Sequence, residues 1–263
     1  MMLRSPLMNV MVAAVLKAGK GLKRDFGELE NLQVSTKGPG DFVSIADKKA
    51  ERTLHQELEK ARPGYGFVME ESGVIEGADK THRWHIDPLD GTTNFLHGMP
   101  FFATSVALER EGTLVAGVVY NPATEDLFVA ERGKGAFHNE RRMRVSGRRL
   151  MEDSLVGLGL MHLGHGHQAA NLADLSAVMG QVAGVRNLGS IAMELAYVAS
   201  GRLDGVASRW LKSWDLAAGI VLVREAGGFV TDIRGGETML DTGDIVAGNE
   251  AIHKSLLGAL AKA

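Results

Sequence analysis

The residues best suited to chemistry are Asp87-Pro88-Leu89-Asp90-Gly91-Thr92-Thr93-Asn94-Phe95. They follow an apolar, strand-like run from Trp84 to Ile86, and Pro88 stiffens a turn between the two acids. A turn there lets carboxylates three residues apart converge, with the Leu89 carbonyl pointing into the same space. Gly91 permits close backbone approach, and the N–H groups after it can face an anion at a helix start. Acids beside a phosphate-sized nest make chemical sense only with a cation between them. Hard oxygen ligands favour Mg²⁺, which often joins one or two carboxylates to a substrate phosphate. The chemistry suggested is metal-assisted hydrolysis of a phosphate ester. Taken alone, the same residues also read as an acidic turn capping a helix through Thr92 or Asn94. That reading leaves Pro88 and the further acids below unexplained.

The elements that must position these groups alternate along the chain. Ser5-Pro6 starts a helix whose stripe is Met8, Met11, Val12, Val15, Gly19 and Leu22. Lys37-Gly38-Pro39-Gly40 has the turn chemistry of a mobile loop. A second helix is predicted from Ser44 to Ala61 and is stopped by Pro63-Gly64. Gly66 to Met69 reads as a strand ending at Glu70-Glu71, and Arg83 to Ile86 as one ending at Asp87. From Phe101 to Val145, strands separated by short turns predict an antiparallel meander. The second half alternates again: strand 155–158, helix 169–182, strand 185–188 and helix 191–200. Strand 203–207, helix 214–226, strands 229–232 and 245–247 and a closing helix complete it. The pattern divides into subdomains 1–145 and 146–263, the first with a meander sheet and the second with a mixed sheet.

Composition bounds the rest. At 263 residues the chain is near the size where one core stops growing. A net charge of -3 argues against bulk nucleic-acid affinity. No cysteine is present, so disulfides and thiolate metal sites are excluded, which suits a reducing compartment. Arg4 and the apolar run to Leu16 superficially resemble a signal peptide, but Asn9 and Lys17 interrupt them and no small-x-small cleavage site follows. The expectation is a cytoplasmic protein, and no apolar run is long enough to span a membrane.

Asp47, Glu70-Glu71-Ser72, Asp87 to Thr92, and Trp214-Asp215-Leu216-Ala217-Ala218-Gly219 together resemble the inositol monophosphatase family of Mg²⁺-dependent, lithium-sensitive phosphatases. The resemblance covers nearly the whole chain. It includes Gly189-Ser190, the stretch Ala199 to Gly205, and Arg224-Glu225-Ala226-Gly227-Gly228. It implies a layered α-β-α-β-α sandwich, an α/β fold of the sugar phosphatase type, and a homodimer. Carried over by position, Glu70, Asp87, Asp90 and Asp215 would be the metal-binding carboxylates, with the Leu89 carbonyl completing the set. Two like charges about 4 Å apart repel by roughly 4 kcal/mol at an effective dielectric of 20. Four acids around one pocket would therefore stay partly protonated unless cations offset the repulsion. Read singly, Glu70 could be a solvated strand end and Asp215 the N-cap of its helix.

The resemblance also places Asp47 near Thr92, where it would orient the hydroxyl that helps activate water; Ser44-x-x-Asp47 equally fits a capping box. Glu71 would hold an outer-shell water or face solvent. Lys37 matches a loop residue near the active site. Gly189, Ser190 and Ile191 match a segment that touches the substrate ring, or else a helix start capped by Ser190. Asp215 would also touch substrate, and the N–H groups of Gly91 and Thr92 would cradle its phosphate. Two or three Mg²⁺ ions would support direct attack of water, with Thr92, Asp47 and Glu70 orienting it.

The chain departs from the family pattern at Ser208, seven residues before Asp215, where related phosphatases carry an acid that bonds a substrate hydroxyl. The adjoining Trp210 alters the same wall. Met69 stands where Gly is frequent and reads as packing. His162, His165 and His167 in a Gly-rich loop could hold a transition metal but read better as a solvated rim. Arg141, Arg142, Arg144, Arg148 and Arg149 could meet nucleic acid or a partner protein, but lack interleaved aromatics and default to a solvated hairpin face. The expected substrate is inositol-1-phosphate or a related polyol phosphate. The rivals are fructose-1,6-bisphosphate, histidinol phosphate and 3′-phosphoadenosine 5′-phosphate. A binding role on the transcription apparatus, as in some bacterial relatives, is the reading from another class.

Overall fold

The computed structural model describes residues 4–28, 34–38, 41–160 and 167–261, with side chains described outside 34–38 and 41–44. The first half runs α1 (Pro6–Phe26), β1 (Val34–Gly38), β2 (Asp41–Ser44), α2 (Ile45–Ala61), β3 (Gly66–Met69), β4 (Gly73–Ile75), β5 (His82–Asp90) and α3 (Thr92–Leu96). The meander follows as β6 (Ala103–Arg110), β7 (Thr113–Asn121), β8 (Asp126–Glu131), β9 (Gly135–His138) and β10 (Arg141–Arg142). The second half runs β11 (Leu155–Leu158), α4 (Gln168–Met179), β12 (Gly184–Arg186), α5 (Ile191–Ala199), β13 (Gly205–Ser208) and α6 (Ser213–Glu225). It closes with β14 (Phe229–Thr231), α7 (Met239–Thr242), β15 (Ile245–Gly248) and α8 (Glu250–Leu260).

Two sheets carry the fold. An eight-stranded sheet has the order β10-β9-β8-β7-β6-β5-β3-β4, and a five-stranded sheet has the order β12-β11-β13-β15-β14. Side-chain alternation along the strands sorts the apolar residues into three layers. Val106 and Leu108 of β6 face α1 and α2, whereas Ala103 and Ala107 face α5 and α6. On the second sheet Ile245 and Ala247 face α5 and α6, whereas Val246 faces the outer pair α4 and α8. The result is the expected α-β-α-β-α sandwich, with α5 and α6 as its central layer.

Small residues let that central layer approach its neighbours. A Cβ on Gly117 of β7 would stand 2.6 Å from the Ala218 carbonyl oxygen, and one on Gly219 would stand 2.4 Å from Leu195. The Ala217-Ala218-Gly219 part of the sequence motif is thus a packing device. It seats α6 against β7 and α5, so that Asp215, in the first turn of α6, arrives at the end of β5.

Three expectations change. The turn at Pro88 is a bulge in a continuing strand: β5 pairs Asp87 with Ser105 and Asp90 with Ala103, one residue more than its partner. Residues three apart on a regular strand face opposite sides, and the extra residue brings Asp87 and Asp90 round to one side. The loop expected at Lys37 and Gly38 is strand β1, paired antiparallel to β2. The β-branched residues Val34, Thr36 and Val43 favour that pairing, and Pro39 and Gly40 lie outside the described residues. Asp215 is the third residue of its helix rather than the N-cap, and its Oδ2 accepts from the Lys212 N–H at 2.7 Å. Met69 is buried with the α1–α2 core, as expected. Among the described residues no helix is long and apolar enough to cross a membrane.

Gly117→Ala is expected to cost about 1–3 kcal/mol by driving β7 and α6 apart. Gly258→Ala on the exposed side of α8, where a Cβ meets nothing within 4 Å, should instead stabilise by about 0.5–1 kcal/mol. Urea unfolding of the two variants checks both signs.

Candidate active site

The β5 bulge, the end of β3, the first turn of α6 and the segment entering α5 meet at one cavity of about 660 Å³. Glu70, Asp90 and Asp215 line it, together with Gly91, Thr92, Gly189, Ser190 and Ile191. Asp87 lies behind them, 2% exposed. Of the expected metal and substrate residues, Glu70, Asp90, Asp215, Gly91, Thr92, Gly189, Ser190 and Ile191 line this cavity, Asp87 is buried close to Glu70, and Asp47 and Leu89 enter through hydrogen bonds to Thr92.

Asp87, Asp90 and Asp215 are each anchored by backbone or hydroxyl donors. Asp87 Oδ1 accepts from the Leu89 N–H at 2.9 Å, which closes the bulge, and the Thr104 hydroxyl bonds the Pro88 carbonyl at 2.9 Å. Asp90 Oδ2 accepts from the Ser190 hydroxyl at 2.6 Å and the Ala192 N–H at 2.7 Å. Ser190 thus holds Asp90 instead of making a side-chain cap for α5. Gly91 has φ +93°, and a Cβ there would stand 3.1 Å from the Gly189 carbonyl oxygen. Only glycine fits that left-handed position and close approach. The Thr92 hydroxyl lies 3.0 Å from both Asp47 Oδ1 and the Leu89 carbonyl oxygen, so it can donate to either.

Electrostatics follow from that crowding. Burial and the charges of Glu70, Asp90 and Asp215 push the Asp87 carboxyl well above the usual carboxylate range. Burial and Asp90 do the same to Asp215. Asp90 is pushed up to about 6 by burial, against the opposing pull of its bonds from Ser190 and Ala192. A side-chain contact with Glu70 adds to the rise at Asp87. Among the described residues no three Asp, Glu or His side chains stand in a finished ligand cage. The arrangement suits a hard cation nonetheless: the titratable groups lining the cavity are carboxylates, and their repulsion is what a cation would relieve.

Several contributors were not evident from the sequence. Asn94 Nδ2 donates to the Phe101 and Leu188 carbonyls, each at 2.7 Å, and so ties α3 to the 188–190 segment. Glu51 of α2 accepts from the Glu71 N–H at 2.8 Å and holds the chain just after Glu70. Glu194 is 2% exposed; its Oε1 accepts from the Leu188 N–H at 2.7 Å while Oε2 has no hydrogen-bond partner. Burial pushes its carboxyl up to about 7. Its signal was an acid inside the otherwise apolar run from Ile191 to Ala196.

Ser208 and Leu211 also line the cavity, whereas Trp210 stacks on His167 with ring centroids 4.0 Å apart. His162 and His165 lie outside the described residues. Among the arginines, Arg141 and Arg142 form the exposed strand β10, and Arg148 pairs with Asp204 at 3.1 Å. The side chain of Lys37 is likewise outside the described part.

Comparison with known proteins agrees with this geometry. The sequence model of the inositol monophosphatase family matches residues 3–263. An inositol-1-monophosphatase from Mesorhizobium japonicum is 60% identical, over 99% of this chain and 98% of its own length. The Nus factor SuhB of Escherichia coli is 40% identical, over 96% of this chain and 94% of its own. The crystal structure of extragenic suppressor protein suhB from Bartonella henselae superposes with a TM-score of 0.95 at 56% identity, covering 98% of this chain and 99% of that one.

A raised carboxyl pKa has a definite sign. The Asp90 of the unfolded chain loses its proton near 3.8 and that of the folded chain near 6, so its contribution to stability falls as pH rises across that interval. In chelator at pH 7.5, Asp90→Asn should be more stable than the parent by about 1–3 kcal/mol. The difference should vanish below about pH 4, where both states hold the proton. Denaturant titrations at the two pH values test this.

Proposed function

The chain belongs to the inositol monophosphatase family, and from that premise we propose that it is a Mg²⁺-dependent phosphomonoesterase acting on inositol-1-phosphate or a related small polyol phosphate. The observation that carries this reading is the set of mutually repelling acids at an open cavity beside the Thr92–Asp47 pair. Glu70, Asp87, Asp90, Asp215 and the Leu89 carbonyl would hold the cation. A bound Mg²⁺ supplies charge neutralisation for the phosphate ester and a lowered pKa for water.

The chain's own groups do the rest. Thr92, held by Asp47 and the Leu89 carbonyl, presents its hydroxyl oxygen to a water and fixes the line of attack on phosphorus. Glu70, on the same cavity wall, takes the proton from that water. The N–H groups of Gly91 and Thr92 face the phosphate oxygens at the start of α3. Gly189, Ser190, Ile191 and Asp215 border the space for the leaving alcohol. Ser208 offers that alcohol a neutral hydroxyl, so polyol selectivity rests on neighbouring groups. The expected setting is a cytoplasmic homodimer.

A second reading, binding to the transcription apparatus, draws on the relative named Nus factor SuhB and on the exposed arginines of β10. Asp90→Asn separates the two, since partner binding should survive a substitution that abolishes turnover.

The direct test is phosphate release from inositol-1-phosphate, fructose-1,6-bisphosphate, histidinol phosphate and 3′-phosphoadenosine 5′-phosphate, with and without Mg²⁺. Turnover should require Mg²⁺ and be lost in Asp90→Asn. Thr92→Ala should lower kcat by about 10²–10⁴-fold with little change in KM, the signature of a lost positioning group. Absence of turnover on all four esters by folded, Mg²⁺-saturated protein would count against the substrate assignment.

A further inference from the structure

A second cavity, of about 300 Å³, lies between α1 and α2, remote in character from the acidic one. Its floor is made of small groups: Ala18 and Gly21 on α1, and Ala46, Ala50 and Thr53 on α2. Their spacings place one stripe on each helix. The rim is basic, with Lys17 and Arg24 from α1 and Lys49 and Arg52 from α2. Lys17 is engaged with Glu57 at 2.6 Å, and Arg24 forks onto Asp25, the single acid among the described lining residues. Lys49 and Arg52 are exposed and make no ion pair among the described residues.

Gly21 adds to the openness of this cavity. A Cβ on Gly19, one half-turn earlier, would strike the Tyr120 ring at 2.5 Å, so packing accounts for that glycine. A Cβ on Gly21 would meet nothing within 4 Å. A glycine inside a 21-residue helix weakens it relative to alanine, and no contact among the described residues compensates. What such a position does provide is close access to the helix backbone from the cavity.

The other face of α2 is the active-site face. Asp47 bonds the Thr92 hydroxyl, and Glu51, one turn on, holds the Glu71 N–H and the Ser72 hydroxyl. One rigid helix therefore carries cavity residues 46, 49, 50 and 53 on one side and active-site anchors 47 and 51 on the other.

We propose that the α1–α2 cavity binds a small phosphate-bearing anion, and that its occupancy is transmitted through α2 to Thr92 and Ser72. Lys49 and Arg52, the two rim cations with no ion pair among the described residues, select an anion. The guanidinium fork of Arg52 matches phosphate oxygens, and Lys49 adds a mobile charge from the same helix. The volume sits at the small end of ligand sites, which fits a phosphate group and excludes a folded partner or an extended nucleic acid.

Inorganic phosphate titrated into the full-length, ¹⁵N-labelled protein in chelator tests this, because crowded carboxylates then repel anions from the catalytic cavity. The amides of Gly21, Ala50 and Thr53 should shift saturably, with Ser72 and Thr92 following at the same midpoint. In Lys49→Gln/Arg52→Gln the apparent Kd should rise about tenfold or more, with the thermal transition unchanged because both side chains are exposed and make no ion pair among the described residues. Shifts confined to Gly91 and Thr92, no saturable shift, or an unaltered Kd in the double variant would overturn the site. Shifts at Gly21 and Thr53 without Ser72 and Thr92 would overturn the transmission. The readout does not use turnover, so it fails or succeeds separately from the phosphatase reading.

Discussion

Repulsion among Glu70, Asp87, Asp90 and Asp215 is the constraint on which the rest of the structure depends. Left to themselves, four carboxylates separate into solvent, where each charge is hydrated and screened. Here backbone donors hold three of them in place: Leu89 N–H for Asp87, Ala192 N–H for Asp90 and Lys212 N–H for Asp215. Those donors belong to β5, α5 and the entry to α6, so the site exists only when the whole sandwich is assembled. The elevated pKa values of three of the acids are the visible record of that confinement.

Packing explains how three elements come so close. Gly117 and Ala218 bring β7 and α6 into backbone contact, and Gly219 admits Leu195 of α5. Gly91 does the same for the 189–190 segment, and Asn94 fastens it. Buried Glu51 and Asp47 complete the frame from α2. The outer helices α4 and α8 only cover the second sheet, and among the described residues they contribute no group to the cavity.

Most of this was legible in the sequence because it is written in local patterns. The meander and the amphipathic α1 follow from periodicity, whereas the layer order and the set of four acids came from the family resemblance of several short motifs. What was not legible depends on pairing partners. The Pro88 bulge is defined by register against Ser105 and Ala103, which no local pattern around Asp87 contains. The β1–β2 hairpin was hidden because Gly38-Pro39-Gly40 carries the same chemistry in a turn as in a loop. Glu194 resembles a stray charge until Leu188 is seen to donate to it. Trp210 looked like pocket wall by its proximity to Ser208, yet its positive φ of 58° turns it onto His167.

The central claim is that the confined carboxylates form a site whose repulsion a divalent cation relieves. Thermal unfolding of the full-length protein against Mg²⁺ concentration, at pH 4 and pH 8, tests it most directly. At pH 8, where Asp90 is ionised, Mg²⁺ should raise Tm in a saturable way. At pH 4, below the raised pKa of about 6 at Asp90, it should do much less. A Tm indifferent to Mg²⁺ at both pH values, or equally raised at both, would contradict the account.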